Sequence, residues 1–286
     1  GSAMTSLHMI SVAIEAGDIE VGIAGGVEDM FSIPQGGFAP DFNVQLAEED
    51  YYISMGEGAE LLADKLDISR KEQEEFCYNS HNRAVAAQEE GKFDNEIIPI
   101  TLENGTVFDK DSGPRVPNKE KIESLNPAFK ADGTVTAATS SPFSIGASAM
   151  LLTSEAYAKE HGLKIRAFIE GRAVAGVNWK MFGSGPVPAT AKALKNTGMS
   201  IEDIDVMEIN EAFAAQALYC VKEANWDLDK VNLNGGAIAL GHPLGISGTR
   251  IITTLLNVME QQDKSVGLAT MCVGTGQGIT TIIKRG

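Results

Sequence analysis

The sequence predicts an α/β fold made of two similar halves, and three observations predict it. Apolar residues at helical spacing alternate with short apolar runs, a helix-to-strand unit occurs twice, and a long segment of different character interrupts the first half. Across 286 residues, 43% hydrophobic and 22% charged, the chain can bury one large core or two modest ones.

The first unit is SAMTSLHMISVAIEAGDIEVGIAGG, with Leu7, Ile10 and Ile14 on one helix face, a Gly17-Asp18 stop, and a strand from Ile19 to Ala24. The second is SGTRIITTLLNVMEQQDKSVGLATMCVG, with Ile251, Leu255, Val258 and Met259 on a helix face and a strand from Val266 to Met271. Ser2 stands 19 positions before Val21, and Ser247 stands 19 before Val266, where the strands read VGIA and VGLA. This agreement marks an internal duplication. The second copy comes after VNLNGGAIALGHPLGI, whereas nothing precedes Gly1, so the first copy is expected to begin in mid-unit. Gly-Ser-Ala-Met also reads as a vector scar ahead of a start at Met4.

Each unit leads to another strand, GASAMLL at 146–152 and GITTIIK at 278–284. The second half turns tightly through CVGTGQG, while the first inserts a lobe from Glu28 to about Ile145. The insertion opens with two amphipathic helices, MGEGAELLADKL and SRKEQEEFCYNSHNRAVAAQEEG, the latter capped by Ser69 and stopped at Gly91. It then becomes loop-rich, with Pro99, Pro114, Pro117 and Pro127, as a segment covering a site does. Residues 165–175 read as a strand, 186–198 as a helix, 201–210 as a loop and strand, and 211–225 as a helix. This alternation implies layers around a substantially parallel sheet. The expected division is an incomplete first half at 1–152, with its insertion at about 28–145, and a second half at 153–286.

A formal net charge of −16 repels nucleic acid and anionic lipid, so an anionic ligand requires a local pocket. No apolar stretch approaches the roughly 20 residues of a membrane helix. Cys77, Cys220 and Cys272 form no CxxC pair, which points to a reducing compartment, here expected to be the cytoplasm, and away from a structural metal. Residues 1–14 lack the basic start and apolar block of a signal peptide.

Four places mix reactive groups with tight backbone. Asn210 sits at a strand-to-helix corner, which suits either a helix cap or a ligand-facing amide. His242 is hemmed by Gly235, Gly236, Gly241, Pro243, Gly245 and Gly248, and its ordinary pKa of about 6.5 suits proton transfer as well as a structural role. His8, His81 and His161 read as structural parts of helices. Cys272 ends a strand ahead of Gly274, Gly276 and Gly278, which are expected to open space around its sulfur. That GxGxG spacing, with a strand after it, excludes a dinucleotide loop. Thr139, Ser140 and Ser141 form a polar turn before Pro142.

Asn210 in NEAFA, His242 in GGAIALGHP and Cys272 in CVGTGQG, in that order, resemble the catalytic signature of thiolases. VGIAGGVEDM, MGEGAE, SHNRAVAAQEEGKFDNEIIP, LNPAF and DGTVTA extend the resemblance along the whole chain, and Gly-Ser-Ala-Met resembles the residues just after the family's nucleophilic cysteine. The resemblance implies a layered αβαβα fold of duplicated halves with a loop domain in the first. It also implies exchange between 3-oxoacyl-CoA, CoA and acetyl-CoA through an acyl-cysteine. His242 would then activate the nucleophile, Asn210 would stabilise an oxyanion, and Cys272 would move the proton at the acetyl Cα. Ser141, Arg115, Met55 and Phe213 fall in the substrate- and CoA-binding set.

Coenzyme A is implied as co-substrate, with no tightly bound cofactor and with assembly into a homodimer or homotetramer. The nucleophile is expected to come from a segment ahead of Gly1, and this chain alone is expected to be inactive. Ser54 stands where short-chain biosynthetic members often carry histidine, which favours a degradative or longer-chain substrate. Ile145 replaces an aspartate common before the strand glycine. Alternative readings are a non-catalytic CoA-ester or lipid-binding module and, more distantly, a ketoacyl synthase, whose cysteine usually works with two histidines.

Overall fold

Both copies of the helix-to-strand unit form where their spacing predicts. The computed structural model describes residues 1–33, 37 and 40–286. Its first part contains α1 (Ser2–Glu15), β1 (Val21–Asp29), α2 (Val44–Glu48), α3 (Met55–Lys65), α4 (Arg70–Glu89), β2 (Ile100–Thr101), β3 (Val107–Phe108), α5 (Lys119–Glu123) and β4 (Ile145–Thr153). Its second part contains α6 (Glu155–Glu160), β5 (Phe168–Gly176), α7 (Pro186–Thr197), β6 (Val206–Ile209), α8 (Ala214–Glu223), α9 (Ala237–Leu240), α10 (Ser247–Gln261), β7 (Val266–Val273) and β8 (Gln277–Lys284).

Helices α1 and α10 pack against each other between two sheets. Ile251, Leu255, Val258 and Met259 of α10 are fully buried with Met4 and Leu7 of α1, and each such side chain contributes about 1.5–3 kcal/mol of hydrophobic stabilisation. At their crossing Gly248 lies directly on the backbone of Met4, an approach that any side chain at 248 would block. On one side of the pair, β1 and β4 form a two-stranded antiparallel sheet. On the other lies a four-stranded sheet ordered β5-β8-β7-β6, whose opposite face is covered by α7. Helices α3, α4 and α8 pack outside this half, α4 held by a capping box between Ser69 and Glu72 and ended by Gly91 at φ +67.

The sheet departs from its expected, substantially parallel character. Only β6 and β7 pair in parallel, while β5–β8 and β7–β8 are antiparallel. The tight turn at 274–276 is the cause, because a short hairpin forces β8 back along β7. Strand β1 also runs on to Asp29 instead of ending at Ala24. Its Gly25-Gly26 pair continues the strand, and Gly26 presses its bare backbone on the carbonyl of Gly245.

One face of the β1–β4 sheet is exposed and apolar. Ile23 is 70% exposed opposite Leu151 at 56%, and Val27 (77%) and Ile145 (64%) extend the patch. Such a face drives association. Adding charge through I23K and L151K is therefore expected to shift the chain to a smaller species in sedimentation velocity, and an unchanged distribution would show that contact lies elsewhere.

Candidate active site

The site forms where β6 and β7 reach their carboxyl ends. Asn210 prolongs the parallel ladder by one rung, its N–H donating to the Thr270 carbonyl at 3.0 Å. It does not cap the next helix. Helix α8 starts only at Ala214, after Phe213, which stays extended at φ −143 and bridges to Ser140. The Asn210 amide is thus left to turn inward, and its Nδ2 donates to His242 Nε2 at 3.2 Å in a fully buried setting.

His242 is presented by a strained turn in which Gly241 holds φ +99. Its main-chain N–H donates to Ser144 Oγ at 3.3 Å, and Nδ1 meets Ser247 Oγ at 2.6 Å. With Asn210 Nδ2 turned to the ring and its Oδ1 left without a partner, the hydrogen bonds assign the tautomer. Amide Nδ2 only donates, so Nε2 carries the lone pair and Nδ1 the proton, which it donates to Ser247 Oγ, whose own O–H donates to the Pro243 carbonyl at 3.0 Å. Burial first, then the Arg250 charge and the Gly1 amino group, push the His242 pKa down to about 3. The ring is therefore a neutral base with Nε2 facing Asn210.

Cys272 lies one residue before the end of β7, two positions beyond the Thr270 that receives Asn210. Burial pushes its thiol up to about 12, an effect partly offset by the amino group of Gly1. The start of α1 packs on the end of β7, where a Cβ on Gly1 would lie 2.8 Å from Val273 Cγ2. The three glycines after Cys272 do less than expected to open space. Gly278 is covered by the Gly185–Pro186 backbone and Gly276, at φ +100, packs under Val177 and Trp179. Only Gly274 faces a side chain at ordinary contact distance, Met55 Sδ at 3.8 Å.

Comparisons with known proteins decide the relationship. The thiolase N-terminal domain profile matches residues 1–156, and the thiolase C-terminal domain profile matches 163–285. The chain belongs to the thiolase family. It is 51% identical to a 3-ketoacyl-CoA thiolase of Vibrio parahaemolyticus, over all of this chain and 75% of that one. It is 50% identical to a 3-ketoacyl-CoA thiolase of Psychrobacter arcticus, over 100% of this chain and 75% of that protein. Among solved structures, human mitochondrial 3-ketoacyl-CoA thiolase in complex with CoA superposes with a TM-score of 0.92 at 36% identity, covering 100% of this chain and 76% of that one. The dimeric peroxisomal thiolase of Saccharomyces cerevisiae gives 0.93 at 39%, covering 100% and 74%.

The other residues singled out in the sequence take the following places. Ser141 is sewn to the Asn210 corner, both its N–H and its Oγ donating to the Ala212 carbonyl at 3.0 Å. Phe213 is buried, with Phe129 edge-on at 5.8 Å, and Phe129 in turn lies against Gly56. Met55 starts α3, whose N-cap is Ser54 in a capping box with Glu57, so the Ser54 hydroxyl is committed to the helix end. Arg115 is exposed and donates to its own loop at Gly113, which rests on the Ala239 carbonyl shortly before His242.

Sequence reading missed Ser247, which sets the imidazole tautomer, and Glu211, the residue after Asn210. The Glu211 carboxylate is fully buried and accepts from Ser80 Oγ at 2.6 Å, Asn232 Nδ2 at 2.8 Å and Ile238 N–H at 3.1 Å. A glutamate inside the apolar run IDVMEINEAFAAQA was the available signal, since such a position demands buried partners.

Proposed function

We propose that this chain supplies the thiolytic site of a 3-oxoacyl-CoA thiolase. The observation that carries this reading is the Asn210–His242 contact at the carboxyl ends of β6 and β7, with Cys272 next to the end of β7. A cysteine joined ahead of Gly1 enters the space between base and thiol. Asn210 Nδ2 leaves His242 Nε2 to help hold the developing oxyanion, the freed Nε2 lone pair takes the cysteine's proton, and the thiolate adds to the 3-keto carbon.

The C2–C3 bond then breaks, its electron pair passes to C2 of the departing acetyl-CoA, and the Cys272 thiol protonates that carbon. A thiol whose pKa burial raises to about 12 is in the acid form this step needs. The Cys272 thiolate next takes the proton of an incoming CoA thiol, whose sulfur collects the acyl group from the cysteine. Ser141 and Arg115 contact CoA in this reading, while Met55, Phe129 and Phe213 wall the acyl side, an apolar surface suited to chains longer than acetoacetyl. The working assembly is a homodimer or homotetramer.

The test is to join the cysteine-bearing segment ahead of Gly1 and monitor cleavage of 3-oxoacyl-CoA of several lengths at saturating CoA. Appearance of acetyl-CoA is expected. Activity no higher than in the same protein carrying C272S would defeat the reading.

A further inference from the structure

Behind the Asn210–His242 couple, Glu208 and Arg250 face each other, the carboxyl fully buried and the guanidinium mostly so, and the thiolysis steps do not use them. Glu208 is on β6, two residues before Asn210, so both side chains leave the same face of the strand toward α10. Arg250 is on α10, three residues after Ser247, so it shares the helix face that reaches back toward β6. Arg250 Nη1 stands 3.8 Å from Glu208 Oε2, and the carboxylate is completely buried. Strand and helix are thus linked at two successive levels, once by this ion pair and once by Asn210, His242 and Ser247.

We propose that Arg250 and Glu208 are positioning residues for the Asn210–His242 couple, fixing α10 against β6 at the register that holds the imidazole on the amide. Stability alone does not account for the pair. Among the described residues, neither oxygen of Glu208 accepts a hydrogen bond and neither terminal nitrogen of Arg250 donates one. A buried pair so poorly satisfied is often no more stable than apolar residues of equal volume, whereas its fixed geometry specifies one register.

The pair also sets the charge felt by the ring. After burial, Arg250 on α10 disfavours protonation of His242. Arg250 in turn faces Glu208 on β6, Glu211 just beyond it, and Glu96 and Asp111 from the inserted lobe, while Arg83 of α4 acts on Glu208. This inference rests on the reading of Asn210 and His242 as the catalytic couple, but its test needs no substrate, so the two can fail separately.

The experiment is nitrogen NMR of the His242 ring in the full 286-residue chain, titrated in wild type, R250Q, R250K and the double variant E208Q/R250Q. Wild type is expected to show the Nδ1-protonated tautomer throughout the neutral range. In R250Q the ring is expected to lose that single tautomer and to titrate higher by on the order of one pH unit. R250K, which keeps the charge, is expected to restore the wild-type signals. The double variant leaves no unpaired buried charge, so it carries the test should R250Q fail to fold. Wild-type ring signals in the folded double variant, or failure of R250K to restore them, would overturn the proposal.

Discussion

Replacing His242 by alanine, in the chain carrying a cysteine ahead of Gly1, is expected to lower kcat/KM for 3-oxoacyl-CoA thiolysis by about 10²–10⁴-fold. The size reflects the loss of a positioned base whose Nε2 lone pair is oriented by two hydrogen bonds, one at each ring nitrogen. The pH dependence is set by its surroundings. Because burial lowers the imidazole pKa to about 3, the ring is already the free base throughout the neutral range. A base works only when unprotonated, so its contribution is retained above that value and lost as the pH falls through it. The acid limb of kcat/KM should therefore not show a histidine-like midpoint near 6.5. Measuring the profile from pH 5 to 8 checks this, and a clear loss centred on 6.5 would mean that the ring is more hydrated than its packing indicates.

The second large effect is on stability. Glu211→Ala is expected to cost about 3 kcal/mol or more, because the buried donors of Ser80, Asn232 and Ile238 lose their acceptor at once. Unfolding by heat should then begin about 5–10 °C lower. Ser80→Ala removes one donor and leaves the other two in place, so its cost should be nearer 1 kcal/mol. Equal losses in the two variants would show that Ser80 carries the interaction by itself. The carboxylate matters because Ser80 lies on α4 of the inserted lobe, while Asn232 and Ile238 precede the His242 turn. One side chain fastens three separate parts of the chain around the Asn210 corner.

The parts of this molecule that were legible in the sequence depend on local periodicity. Leu7 and Ile10, like Ile251 and Leu255, announce helices because 3.6-residue spacing is a property of neighbours in the chain. Ser69 and Gly91 bound α4 as expected for the same reason. The Asn210, His242 and Cys272 motifs pointed to the family, and the structure adds the direct Asn210–His242 contact. The features that were not legible depend on partners distant along the chain. Gly25 and Gly26 looked like the end of a strand because nothing nearby reveals that Ser148 will lie against the first and Gly245 against the second. Gly278 looked like space for a sulfur, when it is the seat of Gly185 at the start of α7. Strand direction was misjudged because alternating helices and strands suggest parallel pairing, whereas a three-residue turn overrules it locally.

Where Gly26 meets Gly245, and where Gly248 meets Met4, main chain touches main chain with no side chain between them. Side-chain contacts can yield by changing rotamer, but these cannot, since peptide groups have no alternative shape to adopt. The spacing between the two halves is therefore gauged by the thickness of the polypeptide itself. Thermal motion and substitutions elsewhere in the core can rearrange what fills the interior while leaving the width at the reacting atoms unaltered.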